Sequence, residues 1–367
     1  MNKKILLRVD ASPEIGTGHM MRCLALANEA KQRDWECIFV LRDPDDEIVK
    51  YITSSSHEVE KLMSVNGKKI ADNATAHSNW LPVSQIQDAN DTVEVIDDFK
   101  PDWIIVDHYA LDAKWFSVVE KTSSKILVID DLGDRNLICD LLLDQNLGAS
   151  ADKYDDKLPS KCRLLLGPTF ALLRREFREW RQRSLERRLS INIENVLITM
   201  GGVDLENYTL QVLKSIAKSK YSMKCAFTVI TGRSYPFSKA LEEFINESDL
   251  MVSILSNVEN MAEIMSKSDL CIGAAGSTCW ERCCLGLPTI SLAIADNQLG
   301  VLAELEKKKC TLVSSIDNIR ADFERLLSQD NKQKLRQLSF NSANLTDGNG
   351  IEMLLNELEQ SCDEYAV

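Results

Sequence analysis

Short runs of Ile, Leu and Val recur along this chain, and between most of them lie ten- to sixteen-residue stretches with apolar residues at i, i+3, i+4 and i+7. A strand built from a continuous apolar run has no polar face, so both of its sides must be covered. Helices between such strands supply the cover, which predicts an α/β chain with parallel sheets wound on both faces. The candidate strands are Lys4–Val9, Cys37–Leu41, Trp103–Val106, Ile126–Ile129 and Leu141–Leu143, then Val196–Met200, Cys225–Ile230, Met251–Leu255, Leu270–Ile272 and Thr289–Ala293. The alternation breaks once, from Phe170 to Arg188, where Arg and Glu crowd a single helical pattern entered through Gly167-Pro168. Such a helix suits the surface between two lobes. At about 150 residues per domain, 367 residues hold two. The expected division is 1–190 and 191–367, with the last periodic helix, Gly350–Cys362, free to pack back on the first domain. Two doubly wound, Rossmann-like domains facing a cleft are therefore expected, with ligands at the carboxyl ends of the strands. Residues 64–90 are polar and weakly patterned, and no element is assigned to them.

Charge narrows the partners. Lys and Arg number 43 against 56 Asp and Glu, a net of −13, so the far field repels nucleic acid and anionic membrane surfaces. A local pocket can still bind a small anion. No window holds the roughly 18 apolar residues of a membrane span. The apolar part of the opening MNKKILLRVD is too short for a secretion signal, so a cytoplasmic protein is expected. Eleven cysteines, an odd number without a C-x-x-C pair, read as reduced and mostly buried thiols. Cys279, Cys283 and Cys284 have helical spacing and no nearby histidine, so they read as packing and no metal is expected. Monomer and dimer both stay open, a monomer being favoured.

Several loops could carry chemistry. Arg8-Val-Asp10 leads into Gly16-Thr-Gly18-His19-Met-Met-Arg22, which opens a helix but has Met21 where a dinucleotide fingerprint needs its third glycine. His19 on the first helical turn is expected to be neutral and able to accept a proton, or else simply to finish the helix start. The strand ending in Asp107-His108-Tyr109 offers three polar groups, with Asp107 as a helix cap and Tyr109 as packing on the alternative reading. Asp130-Asp131 suits a turn cap better than a magnesium site. Further on, Met200-Gly201-Gly202 and Gly276-Ser277-Thr278 each follow a strand and precede a helix, leaving amides free for a diphosphate. Glu281 stands one turn into the second helix, where it could accept ribose hydroxyls or balance the helix end. Asn297 and Gln298 add amides suited to a sugar.

Gly-Thr-Gly-His-x-x-Arg at 16–22, Val-Asp-His-Tyr at 106–109, Gly-Pro-x-x-Ala-Leu-Leu-Arg-x-Glu-Phe at 167–177, Met-Gly-Gly at 200–202, Gly-Ser-x-x-x-Glu at 276–281 and Ala-Asp-Asn-Gln at 295–298 occur in this order. Together they resemble the hydrolases of pseudaminic acid synthesis that split UDP from a 2,4-diacetamido-2,4,6-trideoxy-L-altrose. The second half alone also resembles the two-lobed GT-B glycosyltransferase of peptidoglycan lipid II synthesis. The resemblance implies a GT-B-like fold, no cofactor and a UDP-sugar as the partner. It implies catalytic roles at His19 and Tyr109, and sugar contacts from Asp10, Arg22, Asp107, His108, Asn297 and Gln298. UDP contacts are implied for Gly201, Gly202, Gly276, Ser277, Thr278, Glu281 and Arg174. Val203 departs from the small hydroxyl residue common after the Gly-Gly pair. The chemistry implied is water attack at the anomeric carbon with inversion, His19 acting from the first lobe. A glycosyltransferase using the same donor and a nucleotide-sugar sensor are the alternatives.

Overall fold

The computed structural model describes residues 2–12, 14–64, 75–190, 192–232 and 235–363. They form two compact units: residues 1–174 with 349–367, and residues 175–348. In unit 1 the strands are β1 (Lys4–Val9), β2 (Glu36–Arg42), β3 (Glu58–Leu62), β4 (Trp103–Asp107), β5 (Lys125–Ile129), β6 (Leu141–Asp144) and β7 (Arg163–Leu166). They build one parallel sheet in the order β3-β2-β1-β4-β5-β6-β7. Helices α1 (Gly18–Lys31), α2 (Asp46–Ser54), α3 (Gln85–Phe99) and α4 (Ala113–Val119) connect them. Alternate residues of β1 enter different cores: Ile5, Leu7 and Val9 pack with α1, while Leu6 packs with Ala89 and Ile96 of α3 and Trp115 of α4. The all-apolar strand pattern is thus satisfied by helices on both faces.

Unit 2 begins with α5 (Arg175–Arg187) and holds β8 (Asn195–Thr199), β9 (Ala226–Thr231), β10 (Met251–Ser256), β11 (Leu270–Ala274), β12 (Thr289–Leu292) and β13 (Leu312–Ser314). Their order is β10-β9-β8-β11-β12-β13, again parallel. Its other helices are α6 (Tyr208–Ala217), α7 (Ser238–Glu247), α8 (Met261–Lys267), α9 (Thr278–Cys284), α10 (Leu299–Lys307), α11 (Ile319–Leu327) and α12 (Lys332–Ala343).

The boundary expected at residue 190 lies instead at 174/175. The reason lies in two arginines, Arg181 of α5 and Arg188 just after it, which cap carbonyls of unit 2 rather than facing solvent. Arg188 donates to the carbonyls of Ser268, at 2.5 Å, and Met265, at 3.1 Å. Arg181 donates to the carbonyls of Ala343, at 2.8 Å, and Cys284. Phe177 is fully buried and the Ser184 hydroxyl donates to the Leu285 carbonyl at 2.7 Å. The final helix, α13 (Gly350–Asp363), buries Ile351, Leu354, Leu355 and Leu358 in the unit 1 core with α1, and its Leu358 carbonyl accepts the Trp103 indole N–H at 3.1 Å.

In each sheet the connections reverse direction at one place, between β1 and β4 in unit 1 and between β8 and β11 in unit 2. Loops leaving the two central strands diverge there and open a crevice at their carboxyl ends. His19 and the Asp107 loop lie at the first such point, and the glycine loops lie at the second.

Candidate active site

Asp107 ends β4 with its side chain wholly buried, and both carboxylate oxygens are in use. Arg22, one turn into α1, donates from Nε to Oδ2 and from Nη2 to Oδ1, both at 2.6 Å. His19 Nδ1 stands 2.6 Å from Oδ1. Burial alone would push the Asp107 carboxyl up, but the charge of Arg22 and the hydrogen bonds from Arg22 and His19 hold it well below the usual carboxylate range. An ionised carboxylate only accepts, so Nδ1 carries a proton and donates, and in the neutral ring it is Nε2 that keeps the lone pair. The His19 side chain is 12 % exposed. An Asp–His pair of this kind holds the neutral ring in one tautomer, with the outer nitrogen able to accept a proton.

Aromatic rings wall this histidine. The Tyr109 ring meets it edge-on at 4.7 Å, and Trp80 does so at 5.8 Å. Trp80 also stacks on Tyr109 at 5.4 Å, and His77 meets Trp80 at 4.7 Å. The Tyr109 hydroxyl donates to Asp131, whose other oxygen accepts the Asn146 amide at 2.9 Å, so Tyr109 offers His19 a ring edge while its hydroxyl is committed elsewhere. Asp130 accepts the amides of Leu132, at 3.2 Å, and Gly133, at 2.8 Å, and pairs with Arg135 at 2.7 Å. Both aspartates are thereby tied into the turn.

A second charged cluster lies beneath. Arg8 is wholly buried in β1 and clamps two carboxylates: Asp10 at 2.6 and 3.0 Å, and Asp88 at 3.1 and 2.7 Å. Arg42 adds a bond to Asp88 at 2.7 Å, and the Trp115 indole adds another at 2.8 Å. His108 accepts the Ala110 amide on Nδ1 at 3.2 Å and donates from Nε2 to Asp10 at 2.9 Å. Burial opposes ionisation of Asp10 and Asp88, yet the arginines hold both below the ordinary carboxylate value.

These contacts correct part of the expected sugar site. Asp107, Asp10 and His108 are 1 %, 4 % and 2 % exposed, with their polar atoms already bonded to protein. They position the loop rather than face a sugar. Arg22 likewise spends its guanidinium on Asp107. Sequence reasoning passed over Arg8, Arg42, Asp88, Trp80 and His77. A charge inside the apolar run of β1 was the available signal, since a buried arginine demands carboxylates.

In unit 2, Gly201 turns with φ +92°, a conformation that favours glycine, and Gly201, Gly202, Gly276 and Ser277 are exposed. Ser277 precedes α9 without a side-chain cap bond, and Glu281 stands half-buried in the first turn. Asp204 caps α6 instead, accepting the Tyr208 and Thr209 amides at 2.8 Å each. Thr278 accepts from Arg282 Nη1 at 3.2 Å. Gln298 is half-buried, and its Oε1 accepts the Ile294 amide at 3.1 Å. The Asn297 side chain lies outside the described residues. Arg174 is the last residue of unit 1, outside the unit that carries the glycine loops. The cysteines of α9 are buried, and burial raises the Cys279 and Cys283 thiols. Among the described residues no helix is long and apolar enough to cross a membrane.

Two parallel α/β units, each with its loops at a switch point, define the GT-B class of fold. MurG from Acinetobacter baumannii shares it with a TM-score of 0.69 at 13 % identity, covering 98 % of this chain and 99 % of that one. Residues 195–348 match the glycosyltransferase family 28 C-terminal domain. The chain also resembles the UDP-2,4-diacetamido-2,4,6-trideoxy-beta-L-altropyranose hydrolase of Campylobacter jejuni, at 26 % identity over 83 % of this chain and 97 % of that protein. The protein MJ1062 of Methanocaldococcus jannaschii is 26 % identical over 79 % of this chain. This chain spans only 55 % of MJ1062's length.

Proposed function

We propose that this chain is a UDP-sugar hydrolase, and that its substrate is UDP-2,4-diacetamido-2,4,6-trideoxy-beta-L-altropyranose, cleaved as a step of pseudaminic acid synthesis. One observation carries the reading: an ionised Asp107 fixes Nδ1–H of His19 and leaves Nε2 as a proton acceptor at a switch-point loop. Likeness to the Campylobacter enzyme supports the choice of substrate.

UDP is a good leaving group and needs no acid to protonate it. The chain must then align and deprotonate a water and receive charge on the diphosphate. His19 Nε2 takes the proton as the water oxygen bonds to the anomeric carbon. Asp107 stabilises the imidazolium that forms, and the C–O bond to UDP breaks with its electrons staying on the phosphate. Amides of the Gly201 and Gly276 loops receive that charge. Displacement in a single step inverts the anomeric centre.

Incubating the purified protein with the UDP-sugar alone tests the reading. Free UDP and free sugar are expected without any acceptor. UDP release that requires an added acceptor would instead mark a glycosyltransferase, and binding without release would mark a sensor.

A further inference from the structure

Cys139 and Cys162 bring their sulfurs to 3.5 Å, and neither is in a disulfide. Cys139 stands two residues before β6 and Cys162 one residue before β7, at the amino ends of the strands and opposite the end of the sheet that carries His19 and Asp107. Leu141 pairs with Arg163 across the two strands, and the Arg163 amide donates to the Asp140 carbonyl at 3.0 Å. This register puts Cys162 across from Asp140, one residue from Cys139, with the two Cα atoms about 5–6 Å apart, inside the range that a disulfide accepts. The sulfurs must then close by about 1.5 Å, a movement of side chains rather than of backbone. The two thiols are not equivalent. Cys139 is 6 % exposed and packs with Leu137, Leu142 and Tyr154, whereas Cys162 is half-buried. Cys139 keeps its proton and donates it in a hydrogen bond to Cys162, which lowers the Cys162 thiol below its ordinary value and raises that of Cys139. Burial acts the other way elsewhere, pushing Cys225, Cys271, Cys284 and Cys310 up to about 11 and Cys37 up to about 12. The thiolate is the nucleophilic form, so the more accessible sulfur of the pair is also the more reactive one.

We propose that Cys139 and Cys162 form an oxidisable dithiol, a modification site that hydrogen peroxide closes to a disulfide. The Cys162 thiolate attacks one oxygen of the peroxide and the O–O bond breaks. Cys162 becomes a sulfenic acid, and the other oxygen leaves as hydroxide, which takes up the proton that Cys162 released and becomes water. Cys139 Sγ then attacks the sulfenic sulfur. The S–O bond breaks, and that oxygen leaves as a second water carrying the Cys139 proton. Two thiols and one peroxide thus give one disulfide and two waters. No residue of the candidate active site takes part, so this chemistry is independent of the hydrolase reading.

Treating the native protein with hydrogen peroxide, then unfolding, alkylating and digesting it for mass spectrometry, tests the site. The intact chain should lose the mass of two hydrogens and two alkylatable thiols. A peptide joining Cys139 to Cys162 should appear, and dithiothreitol should reverse all three changes. C139S lacks the second thiol and should stop at a sulfenic acid on Cys162 that dimedone traps. C162S should give neither the disulfide nor a trapped sulfenic acid at Cys139. A wild-type digest without the Cys139–Cys162 peptide, whether other thiols are oxidised or not, would overturn the proposal. So would trapping at Cys139 in C162S as fast as at Cys162 in C139S, which would mean that neither sulfur is favoured. Should either serine variant fail to fold, the wild-type peptide map decides alone.

Discussion

The two switch points share a topology and solve opposite problems. In unit 1 the loops after β1 and β4 present ionised side chains locked to one another: Asp107 to Arg22 and His19, Asp10 and Asp88 to Arg8 and Arg42. In unit 2 the loops after β8 and β11 present glycines and bare amides. Cross-linked side chains fix the orientation of a single reactive nitrogen. Bare amides accept a delocalised negative charge at many positions. One arrangement suits a step that needs a proton moved at one atom, and the other suits tight but chemically passive binding.

Substitutions separate the two. The largest effect should come from His19→Asn, which removes the proposed base and should lower turnover by about 10²- to 10⁴-fold. UDP affinity should stay within a few-fold of wild type because the glycine loops proposed to hold the nucleotide belong to the other unit. Steady-state kinetics beside UDP titration checks this, and an equal loss of both would show that His19 only holds the loop.

Next in size is Asp88→Asn. One buried carboxylate serves Arg8 and Arg42 together, so neutralising it should cost about 3–5 kcal/mol of unit 1 stability. Scanning calorimetry should show the unit 1 transition falling while unit 2 holds. Acid gives the same contrast in wild type. Asp10, Asp88 and Asp107 titrate below their ordinary value when folded, so their stabilisation is complete above a pH of about 4 and drains away as the pH falls further toward the folded values. A unit 1 transition insensitive to pH below 4 would contradict the charge clusters as a source of stability.

Smallest is Glu281→Ala. Loss of a hydrogen bond between a charged group and ribose should weaken UDP binding by about 1.5–3 kcal/mol and leave the thermal transition of unit 1 in place. Unchanged UDP titration would remove the ribose assignment.

Both sheets were legible in the apolar runs, because buried parallel strands must be apolar on both faces. The strands that escaped notice, β3, β7 and β13, all lie at sheet edges, where EVEKL can expose three of its five residues. The start of helix α3, inside the unassigned 64–90 stretch, was hard to read because three of the helix's buried positions are polar: Gln85, Asp88 and Thr92 face inward for the Asp112 amide, for Arg8 and for the Asp88 carbonyl. In the site, His19 and the glycine loops were legible from their place after central strands. The inward turn of Asp10, Asp107 and His108 was not, since a polar triplet at a strand end looks the same whether it meets a ligand or a neighbouring arginine. Nor did spacing reveal that α5 belongs with unit 2, because its arginines bond carbonyls, which no residue type announces.

Turnover in heavy-oxygen water, with both products analysed by mass spectrometry, tests the central claim most directly. One heavy oxygen should appear in the freed sugar and none in UDP, since on the proposed mechanism the water that His19 deprotonates bonds to carbon and the diphosphate leaves intact. Heavy oxygen in UDP would mean attack at phosphorus and would contradict the role of His19 as the base for water at the anomeric carbon.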